Sequence, residues 1–292
     1  MRTDDAAADV ARVEVLRVAR GAPARDDDLL AVEEPLLIEL AHDRDGGRVT
    51  GSVSVTMRTP GHDAELAVGF LYAEGILAGA DELLGVPAEP AGDGRGANVV
   101  RVALRPGVPV DVRRLERHFY TASSCGVCGK TSLEALAAGR PIVLPPPAPL
   151  VGADALHALP SALRAAQAAF EATGGLHAAA LFDADGRLLC VREDVGRHNA
   201  VDKVVGRQLL DGRLPLHDRV LLVSGRASFE LVHKALAAGI PLLAAVGAPS
   251  SLAVETARAY GATLVGFVRD GRFNVYAGAA RVRGLDAHLP ER

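Results

Sequence analysis

The sequence has little cysteine, no excess of positive charge and no unbroken apolar run long enough for a membrane, and each shortage removes a class of function. Lys plus Arg number 32 against 36 Asp plus Glu, a net charge of −4, which argues against a non-specific nucleic-acid binder. The three cysteines, Cys125, Cys128 and Cys190, leave one thiol over and exclude a small disulfide scaffold. Ala235 to Val254 carries no charge and approaches the ~20 residues a bilayer requires. Gly239, Pro241, Gly247, Pro249, Ser250 and Ser251 break it into a helix end, a short strand and a new helix start. The first turns of chain hold Asp4, Asp5, Asp9 and Glu14 and no apolar h-region, so the expectation is a cytoplasmic protein without a secretory signal and with no membrane contact. What is present is 49% apolar content in 292 residues, which excludes disorder and suits one large domain or two ordinary ones.

The pattern changes along the chain. Val13–Val18 and Val32–Leu40 read as short strands, and Val49–Met57 alternates with its apolar residues on odd positions, as a half-buried strand does. A turn at Thr59-Pro60-Gly61 leads into a helix from Asp63 to Leu77; Asn98–Leu104 reads as another strand, and Asp111 as the cap of a helix bearing Val112, Leu115 and Phe119. Residues 1–140 are thus a smaller mixed α+β part. Five prolines between Pro141 and Pro149 make residues 141–150 a stiff linker, and residues 151–292 form an α/β domain. A helix with Leu156, Leu159, Leu163 and Phe170 ends at Gly174-Gly175. Beyond it, a hairpin around Asp183–Gly186 precedes alternating helices and strands: Asn199–Leu210, Val220–Val223, Ala227–Ala238, Ile240–Val246, Leu252–Tyr260 and Ala262–Val268, with a last hairpin across Asp270-Gly271. Such alternation predicts crossover units on a partly parallel sheet.

Ser123-Ser124-Cys125-Gly126-Val127-Cys128-Gly129-Lys130 is the sharpest local signal, two thiols separated by two residues on a glycine-flanked loop ahead of a short helix, Ser132–Ala138. A closed zinc site needs about four ligands, and no second Cys-x-x-Cys exists. A thiol–disulfide redox pair and a sulfur carrier holding a persulfide both fit the spacing, and both need thiolate, which is only ~3% of a free thiol at neutral pH. A helix N-terminus supplies about 0.3–1 kcal/mol of that activation, so a cation such as Lys130 has to add to it. Inert burial is a poor fit for Ser-Ser-Cys-Gly, which has little apolar cover.

A second constellation runs from Glu193 to Lys203, where Gly196-Arg197-His198 puts a flexible turn, a cation and an imidazole at a helix start that favours anions. Asp202 and Lys203 read as part of a solvated helix start or as a local structural pair. Two turns of the same kind follow strands, Ser224-Gly225-Arg226-Ala227-Ser228 and Gly247-Ala248-Pro249-Ser250-Ser251, and strand ends of an open α/β sheet share one ligand edge. One of Ser250 and Ser251 is expected to be an ordinary N-cap. Phe267-Val268-Arg269-Asp270-Gly271-Arg272-Phe273 closes the set: Arg269 and Arg272 can fork onto phosphate, with Phe267 or Phe273 beside a base. A phosphate-bearing ligand fits these turns best.

Together these residues resemble the FdhD-type sulfurtransferases, accessory proteins for formate dehydrogenase. The resemblance runs through Met57–Gly61, Glu65–Phe70, Ser123–Lys130, Thr173–His177, Arg192–Lys203, Ser224–Leu231, Ala248–Val254 and Phe267–Tyr276. It implies a cytidine-deaminase-like core of alternating βα units and a homodimer. It also implies transfer of persulfide sulfur from a cysteine desulfurase to the bis(molybdopterin guanine dinucleotide) molybdenum cofactor, before insertion into the catalytic subunit of formate dehydrogenase. Cys125 matches the persulfide-bearing cysteine and Cys128 its partner thiol. Phe267, Val268, Arg269, Asp270, Gly271 and Arg272 match a cofactor-binding segment, to which the turn residues Arg197, His198, Ser224, Gly225, Arg226 and Ser250 are added as candidate contacts. No resident metal is expected. His62 stands where a second acidic residue is expected, and Gly247 where serine is frequent. Deamination is disfavoured, since Ser124 precedes Cys125 and His62-Asp63-Ala64-Glu65 lacks His-x-Glu spacing. A dithiol oxidoreductase and a non-catalytic cofactor chaperone remain as alternatives.

Overall fold

The computed structural model describes residues 9–19, 21, 23–86, 98–111, 142–148 and 150–285. Cys125, Cys128 and Lys130, the short helix after them and the helix expected beyond Asp111 lie outside these residues. Strands β1 (Val10–Arg17) and β2 (Ala24–Ala31) form an antiparallel ribbon. β3 (Glu34–Arg44), β4 (Gly47–Arg58), β5 (Leu83–Gly85) and β6 (Val99–Leu104) form a four-stranded sheet ordered β4-β3-β6-β5, with helix α1 (Asp63–Ala73) after β4. The expected strand at Val49–Met57 is present, but its odd positions do not line one buried face. Val53 is 1% exposed, whereas Val55 and Met57 are each 47% exposed. The register slips opposite Ile38/Glu39, and such a bulge interrupts the period of two.

After β7 (Val151–Gly152), the single helix expected through Phe170 is two, α2 (Ala153–Ala165) and α3 (Ala168–Thr173). The break comes at Ala166-Gln167, and the Glu193 carboxylate caps the second helix by accepting from the N–H groups of Ala169 at 3.1 Å and Phe170 at 2.8 Å. Gly174 supplies the expected left-handed cap at φ 67°.

Strands β8 (His177–Phe182), β9 (Leu188–Asp194), β10 (Val220–Val223), β11 (Leu242–Ala245), β12 (Thr263–Arg269) and β13 (Arg272–Ala277) form a mixed sheet ordered β13-β12-β11-β10-β8-β9. Only β10/β11 and β11/β12 are parallel neighbours, joined by helices α5 (Phe229–Ala237) and α6 (Ser251–Ala259). Helix α4 (Arg197–Leu210) carries the chain from β9 across β8 to β10. Last, β14 (Val282–Arg283) pairs with β7.

The two faces of this sheet enter different cores. Leu221 and Val223 join one that includes α4, α5, α6, α1 and the inner residues of β3 and β6; Val220 and Leu222 join the other, beneath α2. Strands covered on both faces read as unbroken apolar runs, which is why they were easy to recognise. α1 and α4 form the layer between the two sheets, so one continuous core spans both sides of the Pro-rich segment. That segment has no regular structure over residues 142–148 and is tied down by Arg281, which donates to the carbonyls of Pro145 and Gly261 at 2.8 and 2.6 Å.

His233 on α5 stacks with Phe229 and is pushed down to about 4, chiefly by burial. An imidazole kept neutral by the fold, with an ordinary value of 6.5 when unfolded, stabilises fully above 6.5 and loses that contribution as pH falls toward 4. Between pH 6.5 and 5 the expected loss is about 2 kcal/mol. Urea unfolding at the two pH values should show this loss in the wild type and not in His233→Gln; parallel behaviour of the two proteins would remove His233 from the acid response.

Candidate functional site

β9, β10, β11 and β12 all point the same way, so their carboxyl ends meet on one edge, joined by the start of the reversed strand β8. The structure therefore brings together the three turns read from the sequence, with His177 and Phe267 beside them. The turns continue the sheet's hydrogen bonding past the strand ends: Gly247 N donates to Gly225 O at 2.9 Å, Ser250 N to Ala227 O at 3.0 Å and Phe267 N to Gly247 O at 3.0 Å. Gly247 sits close against this backbone: a Cβ there would stand 3.0 Å from Gly225 O and 3.1 Å from the Arg226 backbone nitrogen, so a larger residue needs its neighbours to give by a few tenths of an ångström. These bonds join the Ser224–Ser228 and Gly247–Ser251 turns and the Phe267 backbone into one wall.

The candidate residues divide by what already occupies them. Ser224 Oγ accepts from Ala178 N at 2.9 Å, and Ser250 Oγ caps α6 by accepting from Ala253 N at 3.2 Å, so both hydroxyls serve the fold. The Val268 side chain is wholly buried and offers the edge only its backbone. Phe273 packs against His157, with ring centroids 4.8 Å apart, which leaves Phe267 as the aromatic nearer the turns. Phe267 has φ 54°, an unusual backbone for a bulky residue, at a bulge in the β12–β13 pairing. Arg269 lies 5.5 Å from its ring centroid. Asp270 and Gly271, at φ 53° and 69°, make the tight turn that sets Arg269 directly opposite Arg272. Facing like charges repel, and an anion between them would relieve that. Gly225 lies against His177, Arg226 is exposed, and Arg197 keeps its Nε buried with no hydrogen-bond partner among the described residues.

Sequence reasoning missed what holds this edge in place. Asp194, at the end of β9 and fully buried, accepts from Gly196 N at 2.8 Å, Asn199 Nδ2 at 2.9 Å and Thr59 N at 3.2 Å, and pairs with Lys203 Nζ at 2.7 Å. Lys203 also donates to Thr59 O at 2.9 Å, and Asn199 to Met57 O at 2.8 Å. The Met57–Gly61 and Arg192–Lys203 segments are therefore one assembly. Asp202 and Lys203 are not a pair with each other: Lys203 turns to Asp194, and Asp202 turns to Lys234 at 2.7 Å, with burial pushing Asp202 up to about 6. Nearby, Arg192 grips Glu65 with two nitrogens, at 2.5 and 2.8 Å.

Glu230, also missed, lies 3.1 Å from His198 Nε2 and accepts from Ser228 Oγ at 3.1 Å; the hydrogen bond with His198 leads the causes that hold it down at about 2. His177 is pushed down by burial first and by Arg197 next. On β9, burial raises the half-buried Cys190 thiol, which makes it a poor nucleophile. Among the described residues no group of three or more His, Cys, Asp or Glu could hold a metal ion, and no helix is long and apolar enough to cross a membrane.

Residues 31–283 match the FdhD/NarQ family. The chain is 50% identical over 280 residues to the sulfur carrier protein FdhD of Nocardia farcinica, covering 95% of this chain and 96% of that protein. It is 55% identical over 263 residues to that of Mycobacterium tuberculosis, covering 87% and 92%. A crystal structure from Desulfotalea psychrophila, described as a formate dehydrogenase accessory protein, aligns with a TM-score of 0.70 at 26% identity over 94% of this chain and 99% of that one. With the family match spanning both sheets and every turn of the shared edge, the chain belongs to the FdhD/NarQ family.

Proposed function

We propose that this chain is a sulfurtransferase that carries persulfide sulfur from a cysteine desulfurase to the bis(molybdopterin guanine dinucleotide) molybdenum cofactor required by formate dehydrogenase. The observation that carries this reading is the strand edge that holds Arg197, His198 and Arg226 along with the Phe267–Arg272 hairpin, in a chain whose relatives are named sulfur carriers. Diphosphate and guanine are the ligand groups that arginines, helix starts and Phe267 suit. The mixed sheet, with α4, α5 and α6 on one face, supports reading the core as cytidine-deaminase-like. The protein works as a homodimer in the cytoplasm and hands the loaded cofactor to the dehydrogenase's catalytic subunit.

In the first step the Cys125 thiolate attacks the outer sulfur of the desulfurase persulfide. The donor S–S bond breaks, the donor cysteine leaves as thiolate, and Cys125–S–SH forms with no net oxidation. In the second, the Cys128 thiolate attacks the inner sulfur, releasing hydrosulfide to the cofactor and leaving a Cys125–Cys128 disulfide, which two electrons from a cellular dithiol reductant restore.

Incubation with desulfurase and L-cysteine, followed by intact mass measurement, tests the reading. Wild type and Cys128→Ala are expected to gain the mass of sulfur, and Cys125→Ala none. Loading that survives in Cys125→Ala but disappears in Cys128→Ala reverses the two roles. Formate dehydrogenase activity sustained by the double cysteine variant would replace the sulfurtransferase with a cofactor chaperone. Insulin reduction that needs neither desulfurase nor cofactor would favour the dithiol oxidoreductase.

A further inference from the structure

Among the described residues the strand edge holds two imidazoles, His177 and His198, and of these His198 touches a carboxylate. His198 Nε2 is 3.1 Å from Glu230 Oε2 and 3.5 Å from Ser228 Oγ, while Ser228 donates to the same Glu230 oxygen at 3.1 Å. The first turns of α4 and α5 are thus linked through Ser228, Glu230 and His198, and neither helix has a side-chain cap. Their leading N–H groups are available to an anion. Beside them, the buried Arg197 Nε has no acceptor among the described residues, a donor that is costly to leave unmet. The charges around His198 are Glu230 on α5, Arg197 and Asp202 on α4, and His177 on β8; of these, Glu230 alone is in ion-pairing contact with it.

We propose that Glu230 is a positioning residue: it engages Nε2 of His198, so that Nδ1–H, the ring's other donor, binds a phosphate oxygen of the guanine-dinucleotide acceptor. This rests on the acceptor named under the proposed function. The two contacts together use both ring N–H donors, one toward Glu230 and one toward the phosphate. The contact with His198 leads the causes that hold Glu230 as a carboxylate, so it remains an acceptor for Nε2–H. His177 is pushed toward its neutral form and does not substitute for His198.

Guanosine diphosphate carries the base and diphosphate of the acceptor and is the probe, titrated calorimetrically into the full chain. Glu230→Gln keeps an acceptor for Nε2–H and is expected to bind within about three-fold of wild type. Glu230→Ala removes that acceptor and is expected to bind about ten-fold more weakly. In a His198→Gln background the same change should cost nothing further. Equal affinities of wild type and Glu230→Ala, a loss in Glu230→Gln as large as in Glu230→Ala, an effect that persists without His198, or no binding by wild type each overturns the inference. Sulfur loading is read by intact mass on the same wild-type preparation. A wild-type protein that binds the nucleotide yet takes no sulfur overturns the carrier reading alone.

Discussion

Gly206→Ala is expected to lower the melting temperature by about 6 °C or more, or to prevent accumulation of folded protein. The cause is the crossing of α1 and α4. A Cβ on Gly206 would stand 1.8 Å from the Glu65 carbonyl oxygen, and one on Gly69 would stand 1.9 Å from that of Asp202. Both obstacles are backbone, so no rotamer change relieves them, and the helices have to separate. Separation opens the core between the two sheets, where Leu66, Ala67, Val201, Val204 and Val205 are buried. Overpacking typically costs about 1–3 kcal/mol and occasionally more, and a backbone collision belongs at the upper end. Gly69→Ala should behave alike. Gly51→Ala, where nothing lies within 4 Å of the added atom, is the control and should melt close to wild type. Thermal unfolding of the three variants decides the matter: a Gly206→Ala protein that melts with the control means the helices are not in this contact.

Those glycines mark where reading residues in order ran out. Gly69 and Gly206 sit inside helices, where glycine is about 1 kcal/mol worse than alanine, and that unexplained cost was the available signal. Its reason lies on another helix, distant in sequence. The strands Val220–Val223 and Leu242–Ala245 were legible because burial on both faces leaves an apolar run, and the Asp270-Gly271 turn was legible because its backbone demands those residues. β2 was not, since Arg25, Asp26, Asp27 and Asp28 look like loop; cross-strand pairing with β1, through Arg12–Asp27 at 3.3 Å, Arg17–Asp26 and Glu14–Arg25, holds the ribbon instead.

The site shows the same division. Each glycine-containing turn could be recognised locally, and alternating strands and helices implied a shared edge. Partner choice among charges was not local. Lys203 passes over its neighbour Asp202 for Asp194, and Glu230 resembles any acidic residue in a first helical turn until His198 is brought against it from another helix. The cysteine loop was recognised from residue types alone and lies outside the described residues.

Asp194→Ala is the second large effect expected, about 3–5 kcal/mol, because it breaks a buried ion pair from one side. Lys203 is 1% exposed and would keep a charge with, among the described residues, only the Thr59 carbonyl for company, while the N–H groups of Thr59 and Gly196 lose this acceptor and the Asn199 amide keeps only Met57 O. Truncating both partners removes the stranded charge, so Asp194→Ala/Lys203→Met should lose less than the two single variants combined, with a coupling of about 2 kcal/mol or more. Equilibrium urea unfolding of the four proteins measures that coupling directly, and additive losses would mean that the pair is not mutually dependent. The consequence reaches the strand edge, since Asp194 fixes Gly196 and Asn199 on either side of Arg197 and His198. Asp194→Ala protein that remains folded at low temperature should therefore also bind guanosine diphosphate more weakly than wild type, although Asp194 is fully buried and need not touch the nucleotide.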